Sequence, residues 1–290
     1  MVILGQTATG KSTLAVKISK ALAVSGVEAE IISADSRQVY KGLDIGTGKI
    51  TKKAMKGIPH HLLDVANPKK KFTVTEFQQK TIYAMADIVS RGKTPIICGG
   101  TGFYIDAITK GIVFPEVPPN IKLRRQLTRK SAIALFLVLK KLDKARAKNI
   151  REKNEQNNKV RLIRAIEIAK ELGKVPPITQ TTPVYKFIKI GLYLPLDKLK
   201  KRVEKRVKKM FHPPAGGGLL NEIEKLKKAR ISNKRLRELG FEYDNPTYEK
   251  VVRGTMQYAK RQMTWFKRDK QIKWFDASKS TDLKKITSLL

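Results

Sequence analysis

Short apolar runs alternate with stretches of helical spacing over the first part of the chain. The runs are rich in β-branched and aromatic residues and lie at residues 2–4, 30–34, 95–100, 187–194 and 272–277. Most of them are continuous rather than alternating, which is typical of strands that are covered on both faces. Helical spacing separates the first three runs, near residues 11–24 and 74–91. This alternation of strand and helix predicts an α/β fold with a doubly wound parallel sheet.

A basic helical stretch interrupts the alternation after residue 120, and the strand pattern does not return until Phe187. Within it Lys and Arg far outnumber Asp and Glu, and apolar residues recur with helical spacing at Leu162, Ile163, Ile166 and Ala169. Prolines in the segment 175–183 would end a helix. We therefore expect a basic helical insertion domain at residues 115–185 and a core domain with C-terminal helices, formed by residues 1–114 and 186–290.

Basic residues dominate the charge of the chain. It carries 61 Lys and Arg against 25 Asp and Glu among 290 residues, which gives a formal net charge of +36. A predicted amphipathic helix at residues 248–266 has a basic face of its own. Such an excess suggests a polyanionic partner, with nucleic acid favoured over an anionic membrane surface. A lysine-biased proteome is the alternative explanation, because net charge alone is a weak signal.

Composition argues against several other classes of protein. No apolar run approaches the ~20 residues that span a bilayer, and no charged-then-apolar leader is present, so we expect a cytoplasmic protein with no membrane partner. The single cysteine, Cys98, lies in an apolar run and is expected to be a buried structural thiol. With three histidines and one cysteine, we expect no zinc site. We also expect a monomer.

The segment GQTATGKS, at residues 5–12, fits the phosphate-binding pattern G-x-x-x-x-G-K-[ST] and lies between a predicted strand and a predicted helix. In such a loop the glycines permit a tight turn, backbone amides and the helix N-terminus face an anion, and the lysine adds charge. The pattern favours a P-loop NTPase-like fold. The predicted diphosphate- or nucleotide-binding residues are Gly5, Gln6, Thr7, Ala8, Thr9, Gly10, Lys11 and Ser12, of which Ser12 can also hold Mg²⁺. The loop does not define the reaction, because kinases and ATPases use it for ATP and a diphosphate-bearing substrate could occupy the same cradle.

An aspartate directly follows the second predicted strand. Ligands collect at the carboxyl ends of strands in open α/β sheets, so Asp35 and the loop before Lys11 should face one crevice. Three roles fit an aspartate in that place: a Mg²⁺ ligand, a general base, or a cap for the following turn. The pattern of residues leaves all three open.

Longer blocks of the sequence resemble a single family. The blocks are GQTATGKST (5–13), DSRQVYKGLDIGTGK (35–49), IPHHLLD (58–64), GGTGFYIDAI (99–108), RLIRAIEI (161–168), RVEKRVKKM (202–210), ELGFEY (238–243) and YAKRQMTWFKRDKQIKWFD (258–276). They are similar to blocks of the tRNA dimethylallyltransferases, also called tRNA isopentenyltransferases, and they occur in the family order across nearly the whole chain.

The resemblance implies transfer of a dimethylallyl group from dimethylallyl diphosphate to N6 of the adenosine just 3′ of a tRNA anticodon. The P-loop would then hold a leaving diphosphate, with Mg²⁺ at Ser12 helping to neutralise it. By the same resemblance Asp35 is the general base, Thr101 contacts the reacting groups, and Arg206 reaches the diphosphate. The alternatives are an incidental threonine in a glycine turn and a solvated basic helix face. Arg202 shares the helix face of Arg206 and could substitute for it.

The resemblance also implies a set of residues that contact the anticodon stem-loop of tRNA. The target base must leave the stack for its N6 to reach the allylic carbon, so a crevice that accepts a flipped base is required. The implied contacts are Asp35, Ser36, Arg37, Gln38, Thr101, Arg124, Arg161, Leu162, Ile163, Arg164, Ala165, Arg237, Gly240 and Glu242. For the basic insertion, a solvated surface is the alternative.

Some positions depart from the family pattern. Val160 stands where a glutamine is usual, and the link at residues 210–220 is longer than usual, which affects the expected placement of Arg206. No Cys/His pattern resembles the zinc finger of eukaryotic relatives, so the resemblance is to bacterial-type members. His60 and His61 belong to a family block, but packed or turn histidines are the better interpretation, and we assign them no role.

Three rival functions remain open. A P-loop small-molecule kinase would need a lid with arginines, which the insertion could mimic. An RNA-binding ATPase would be favoured by a carboxylate at the end of the third predicted strand, but that strand ends in glycines. An isopentenyltransferase acting on free adenylate would share the chemistry, and the basic insertion and tail argue instead for a macromolecular RNA.

Overall fold

Strands and helices alternate through most of the computed structural model, which describes residues 1–213, 216–279 and Ile286. In chain order the elements are β1 (Val2–Gly5), α1 (Lys11–Val24), β2 (Ala29–Ala34), α2 (Lys52–Met55), β3 (His60–His61), α3 (Val74–Ser90), β4 (Thr94–Gly99), α4 (Gly102–Thr109), β5 (Ile112–Val113), α5 (Ile121–Thr128), α6 (Ala132–Leu142), α7 (Lys144–Glu152), α8 (Lys159–Leu172), β6 (Thr179–Gln180), β7 (Lys189–Tyr193), α9 (Leu196–Phe211), α10 (Gly218–Lys228), α11 (Asn233–Leu239), a 3₁₀ turn (Phe241–Tyr243), α12 (Tyr248–Phe266) and β8 (Lys273–Asp276). None of the described helices is long and apolar enough to cross a membrane.

A parallel sheet carries the loops of interest. Within the described residues its strand order is β3-β2-β4-β1-β7-β8, and every neighbouring pair is parallel. The carboxyl ends of β1, β2 and β4, at Gly5, Ala34 and Gly99, therefore lie at one edge. The predicted α/β fold with a parallel sheet is confirmed, and the P-loop follows the strand between β4 and β7.

Each central strand is buried on both faces. On one face Ile3, Ile31 and Ile96 pack with Leu14 and Ile18 of α1. The opposite face forms a second core cluster, which includes Leu4, Ile32, Ile97, Phe77 of α3 and Ile105 of α4. Burial on two faces explains why these strands appear in the sequence as continuous apolar runs.

Among the described residues, three strands of two residues each have no signal in the sequence. β3 is an edge strand beside β2, while β5 and β6 form a separate antiparallel pair. Two residues are too few for a period-2 pattern, and their pairing depends on neighbours that are distant in the chain. Longer elements have enough residues for a pattern, and helix α12 coincides with the predicted residues 248–266.

The chain divides into two compact units, Met1–Gly111 with Thr182–Leu290, and Ile112–Thr181. The second unit contains α5 to α8 and a core that includes Leu127, Leu135, Leu139, Leu162 and Ile166. Its ends meet because β5 pairs with β6, with Ile112 opposite Gln180. The unit begins and ends a few residues before the expected insertion at 115–185.

The buried carboxylate of Glu30 links strand β2 to the edge strand β3 and to the segment between α3 and β4. Glu30 on β2 is only 3% exposed, and Arg91 donates to both of its oxygens at 2.5 and 2.9 Å. His61 on β3 lies 2.7 Å from Glu30 Oε2, and Lys93 lies 3.2 Å from Oε1. The hydrogen bonds from Arg91, followed by those from His61 and Lys93, lower the pKa of Glu30 to about 2 against the opposing effect of burial.

We expect Glu30→Gln to destabilise the protein by about 3 kcal/mol at neutral pH, because the buried site loses the negative charge that the hydrogen bonds from Arg91, His61 and Lys93 stabilise. The pKa of Glu30 falls from 4.5 to about 2 on folding, so this stabilisation is fully present above pH 4.5 and is lost as the pH falls toward 2. Urea unfolding at a series of pH values measures the difference in unfolding free energy between wild type and variant.

The matched control is Glu28→Gln, two residues away, because the side chain of Glu28 is 67% exposed and pairs with Lys93 at the surface. Its cost should stay under about 1 kcal/mol, as for other exposed ion pairs. A difference between wild type and Glu30→Gln that stays constant from pH 7 to pH 3 would contradict the interpretation.

Candidate active site at the carboxyl edge of the sheet

The P-loop connects β1 to α1 through backbone conformations that suit glycine. Gly5 has φ of 129° and Gly10 has φ of 91°, and a Cβ on Gly5 would overlap the carbonyl oxygen of Leu192. Ala8 also has a positive φ, of 62°. The N-cap residue of α1 is Gly10, which has no side chain to cap the helix. The first amides of this helix are thus available to an anion.

Lys11 lies inside this loop. Its Nζ donates to the carbonyl oxygen of Gln6 at 2.6 Å, and the hydroxyl of Thr9 donates to the same oxygen at 2.8 Å. Burial lowers the pKa of Lys11 to about 8, while the nearby charge of Asp35 acts in the opposite direction. An anion at the loop would therefore find a cation whose charge is only partly compensated.

Two arginines of α9 reach the loop from the other side of the cavity. Arg206 Nη2 donates to the carbonyl oxygen of Thr47 at 2.8 Å, and Nη1 donates to the hydroxyl of Thr7 at 3.4 Å. Arg202 donates to the carbonyl oxygen of Thr9 at 3.3 Å and is more exposed than Arg206. Burial lowers the pKa of Arg206, with the charge of Asp35 opposing it. Residues 214 and 215 of the long link lie outside the described residues.

Asp35 caps the turn that follows β2. Its Oδ1 accepts hydrogen bonds from the amides of Arg37 at 2.8 Å and Gln38 at 3.3 Å. The capping role considered from the sequence is thus present in the structure. It does not exclude the chemical roles, because Asp35 also lines the cavity that contains the P-loop.

Thr101 joins the ends of β2 and β4. Its hydroxyl accepts from the amide of Ser36 at 3.0 Å and lies 3.3 Å from the hydroxyl of Ser36. Its own amide donates to the carbonyl oxygen of Ala34 at 3.2 Å. Thr101 does not line the cavity, whereas the preceding residue, Gly100, does. The direct contribution of Thr101 is to hold the backbone next to Asp35.

Gln262 of α12 connects two of the loops, a role that the sequence does not predict. Its Oε1 accepts from the amide of Thr7 at 2.7 Å, and its Nε2 donates to the carbonyl oxygen of Gly100 at 2.8 Å. A Cβ on Gly100 would overlap Nε2 of Gln262. The sequence places Gln262 in the family block at residues 258–276 and in a predicted amphipathic helix with a basic face, and neither feature indicates a contact with the P-loop.

A single cavity of about 680 Å³ brings most of these groups together. Among its lining residues are Thr7, Ala8, Gly10, Lys11, Ser12, Asp35, Gln38, Arg202, Arg206 and Gln262. It also has apolar walls that include Ile31, Ile50 and Leu63. Cys98 lines it as well; the thiol is buried, as expected, and burial raises its pKa to about 11. His60 lines the cavity too, while His61 pairs with Glu30.

The predicted RNA contacts of the first unit lie near one another. Arg37 donates to the carbonyl oxygen of Glu238 at 2.9 Å, and Arg237 is exposed on α11. Gly240 is buried where α11 meets the 3₁₀ turn that contains Glu242. Burial raises the pKa of Glu242 to about 7, although the charges of Arg37 and Arg206 lower it. Near neutral pH the carboxyl group of Glu242 can therefore be either protonated or ionised.

The predicted contacts of the second unit differ in availability. Arg124 and Arg164 both pair with Glu167, whose side chain is 2% exposed, and Arg161 pairs with Glu155. Ile163 is partly buried. Leu162 and Ala165 lie in the core at 0% and 3% exposure, so their side chains pack inside the unit, and a contact of this part of α8 with RNA stays a prediction. They belong to the apolar stripe of α8, which the sequence already indicates through the helical spacing of Leu162, Ile166 and Ala169. Val160, on the first turn of α8, is exposed.

Comparisons with known proteins agree with one another. Residues 38–269 match the family model described as "IPP transferase". The chain is 37% identical to the tRNA dimethylallyltransferase of Halothermothrix orenii, over 99% of this chain and 90% of that protein. It is 39% identical to tRNA dimethylallyltransferase 2 of Porphyromonas gingivalis, over 95% and 93% of the two chains.

Solved structures show the same similarity. The crystal structure of the full-length tRNA isopentenylpyrophosphate transferase of Bacillus halodurans is similar with a TM-score of 0.70 and 33% identity, over 99% of this chain and 94% of that chain. A eukaryotic dimethylallyltransferase acting on tRNA gives a TM-score of 0.74 at 25% identity, over 99% of this chain and 77% of that chain. With the site and the P-loop NTPase-like fold described above, these matches show that the chain belongs to the IPP transferase family.

Proposed function

We propose that this protein transfers a dimethylallyl group from dimethylallyl diphosphate to N6 of the adenosine just 3′ of a tRNA anticodon, with release of diphosphate. One observation carries the proposal: the P-loop, the two arginines of α9 and the carboxylate of Asp35 line a single cavity. The relatives named for this activity support it. The apolar walls of the same cavity suit the hydrocarbon part of a prenyl diphosphate.

The basic groups of the cavity serve the leaving group. In the proposed reaction N6 forms a bond to C1 of the allylic chain while the bond from C1 to the diphosphate oxygen breaks, and the electron pair leaves with the diphosphate. Negative charge therefore grows on the diphosphate in the transition state. The amides at the start of α1, Lys11 and Arg206 are arranged around the place where that charge develops, and Arg202 lies at its rim.

Asp35 is proposed to accept the proton that N6 loses. An exocyclic amine of adenine is a poor nucleophile, so removal of its proton as the new bond forms favours the reaction. The amides of Arg37 and Gln38 fix one carboxylate oxygen, and the Ser36–Thr101 pair holds the backbone beside it. The base thus has a defined orientation toward the cavity before the substrate binds.

The residues at the P-loop fit a magnesium ion bound together with a diphosphate. Mg²⁺ prefers oxygen ligands and commonly takes one or two from the protein and the rest from phosphates and water. Ser12 and Asp35 supply hard oxygen atoms at the cavity, and the described residues contain no cluster of three or more His, Cys, Asp or Glu side chains that would hold a metal alone. We propose Ser12 as the residue that holds Mg²⁺, which would supply charge neutralisation for the leaving diphosphate.

The second substrate is proposed to be the anticodon stem-loop of tRNA. The excess of positive charge across the chain provides salt-sensitive affinity for phosphates. In the first unit Arg37, Arg237 and Glu242 lie around the turn after Asp35 and are candidates to contact the flipped adenosine and its neighbours. In the second unit Arg161 and other exposed basic residues of α5 and α8 are proposed to contact the RNA backbone.

We expect Asp35→Asn to lower the rate of prenyl transfer by about 10³-fold, because the amide keeps the capping oxygen but cannot accept the proton from N6. The affinity for inorganic diphosphate should change little. Single-turnover reactions with Mg²⁺, dimethylallyl diphosphate and an anticodon stem-loop, followed by mass spectrometry of the target adenosine, measure the rate.

The control for this variant is Asp87→Asn, since Asp87 is an exposed aspartate of α3 that pairs with Arg91 outside the cavity. It should transfer the group at the wild-type rate. ATP turnover by the wild-type protein without modification of the RNA would refute the proposed function and favour a kinase or an ATPase. Modification of free adenylate in preference to the stem-loop would favour the other isopentenyltransferase class.

We expect the affinity for inorganic diphosphate to fall as the pH rises above about 8. The protonated form of Lys11 attracts the anion, so above the pKa of the free protein binding must take up a proton. Calorimetric titrations between pH 7 and pH 9.5 measure this dependence. Lys11→Gln should bind diphosphate weakly, with no fall in affinity above pH 8. Lys17→Gln, at an exposed lysine of the same helix, should show the same fall as the wild type. A fall of equal size in the Lys11→Gln variant would show that the ionisation of diphosphate itself is its source.

A further inference from the structure

Glu222 of α10 is a buried carboxylate outside the cavity proposed for the substrates. Its side chain accepts hydrogen bonds from three consecutive backbone amides: Oε2 from Asp44 at 2.8 Å and Ile45 at 2.6 Å, and Oε1 from Gly46 at 3.0 Å. The hydroxyl of Tyr243 donates to Oε1 at 2.9 Å. Glu222 is 7% exposed, so these donors replace the water that a carboxylate would otherwise bind.

The three amides belong to a tight turn, residues 44–48, whose internal hydrogen bonds are consistent with a single conformation. The amide of Gly48 donates to the carbonyl oxygen of Ile45 at 3.0 Å, and the hydroxyl of Thr47 donates to that of Leu43 at 2.6 Å. Glu222 thus anchors the first half of this turn, where Asp44 and Ile45 also line the cavity. Thr47 and Gly48 both line that cavity.

The second half of the turn contacts Arg206. The carbonyl oxygen of Thr47 accepts from Nη2 of Arg206 at 2.8 Å. A Cβ on Gly48 would overlap the same guanidinium group, so the turn and the arginine are in close contact. Nη1 of Arg206 extends to the hydroxyl of Thr7 in the P-loop. A displacement of the turn would therefore displace the guanidinium group relative to the P-loop.

We propose that Glu222 is a positioning residue, which holds the turn 44–48 so that the Thr47 carbonyl directs Arg206 toward the P-loop and sets the affinity for the diphosphate group. The inference rests on the proposed function, because it assigns the diphosphate to the P-loop and Arg206. An apolar side chain would fill the place of Glu222 beside Leu219 and Ile223, but it would leave three amides without an acceptor.

A kinetic comparison separates positioning from general loss of structure. Glu222→Gln keeps the size of the side chain but puts an amide group, a donor, among four donors. The variant should raise KM for dimethylallyl diphosphate and Kd for inorganic diphosphate about tenfold, since hydrogen bonds to a charged group are among the strong ones. KM for the anticodon stem-loop should stay at the wild-type value. The matched control is Glu224→Gln, an exposed glutamate of the same helix, which should change neither constant.

A double-mutant cycle tests whether the effect passes through Arg206. In an Arg206→Gln background, Glu222→Gln should add little to the loss of diphosphate affinity, because the group that it positions is already absent. Additive losses would overturn the proposal, and so would equal rises in KM for both substrates. If Glu222→Gln does not fold, Tyr243→Phe removes one donor from Glu222, and the same cycle with Arg206→Gln decides.

The outcome for Glu222 is distinct from the outcome for the proposed function. Inorganic diphosphate binding does not depend on prenyl transfer, so a protein that transfers no dimethylallyl group but loses diphosphate affinity in Glu222→Gln would refute the function and retain the positioning role. A protein that transfers the group normally in Glu222→Gln, with unchanged affinity for diphosphate, would retain the function and refute the positioning role.

Discussion

The pairing of β1, β2 and β4 in one parallel sheet is the constraint on which the site depends. Parallel register brings the carboxyl ends of these strands to one edge, so the loops that follow them meet although they are far apart in the chain. Gly5 ends the central strand where a Cβ would overlap the carbonyl oxygen of Leu192. The P-loop can then turn directly out of β1, and Asp35 and Gly100 lie beside it.

Lys11, Arg206 and Asp35 are held in the cavity by hydrogen bonds with backbone atoms rather than by ion pairs with one another. Lys11 donates to a P-loop carbonyl, Arg206 donates to the Thr47 carbonyl, and Asp35 accepts from two amides. Each charge is oriented, yet each remains only partly compensated, which is a favourable arrangement for groups that must act on a bound anion. Gln262 and Glu222 extend this principle to the supporting helices, because their side chains hold loop backbone, Gln262 from the wall of the cavity and Glu222 from outside it.

Two arginines of the second unit pair with a buried carboxylate and are also partly exposed at the surface. Glu167 is buried and is satisfied by Arg124, Arg164 and the amide of Asn120. A buried carboxylate without such partners would be costly, so these arginines have a structural reason to be present apart from any RNA. Both guanidinium groups retain partial exposure, which leaves them able to contribute to the positive potential of the unit.

The sequence by itself determined the central strands, the long helices, the P-loop and the position of Asp35, because their patterns are local: continuous apolar runs, helical spacing and glycines at a strand end. The resemblance to the family rested on such blocks as well. Tertiary structure alone decided the short strands β3, β5 and β6 and the roles of Gln262 and Glu222. Each of these depends on a contact between residues that are distant in the chain. The sequence around a side chain does not indicate which distant backbone group will be its hydrogen-bond partner.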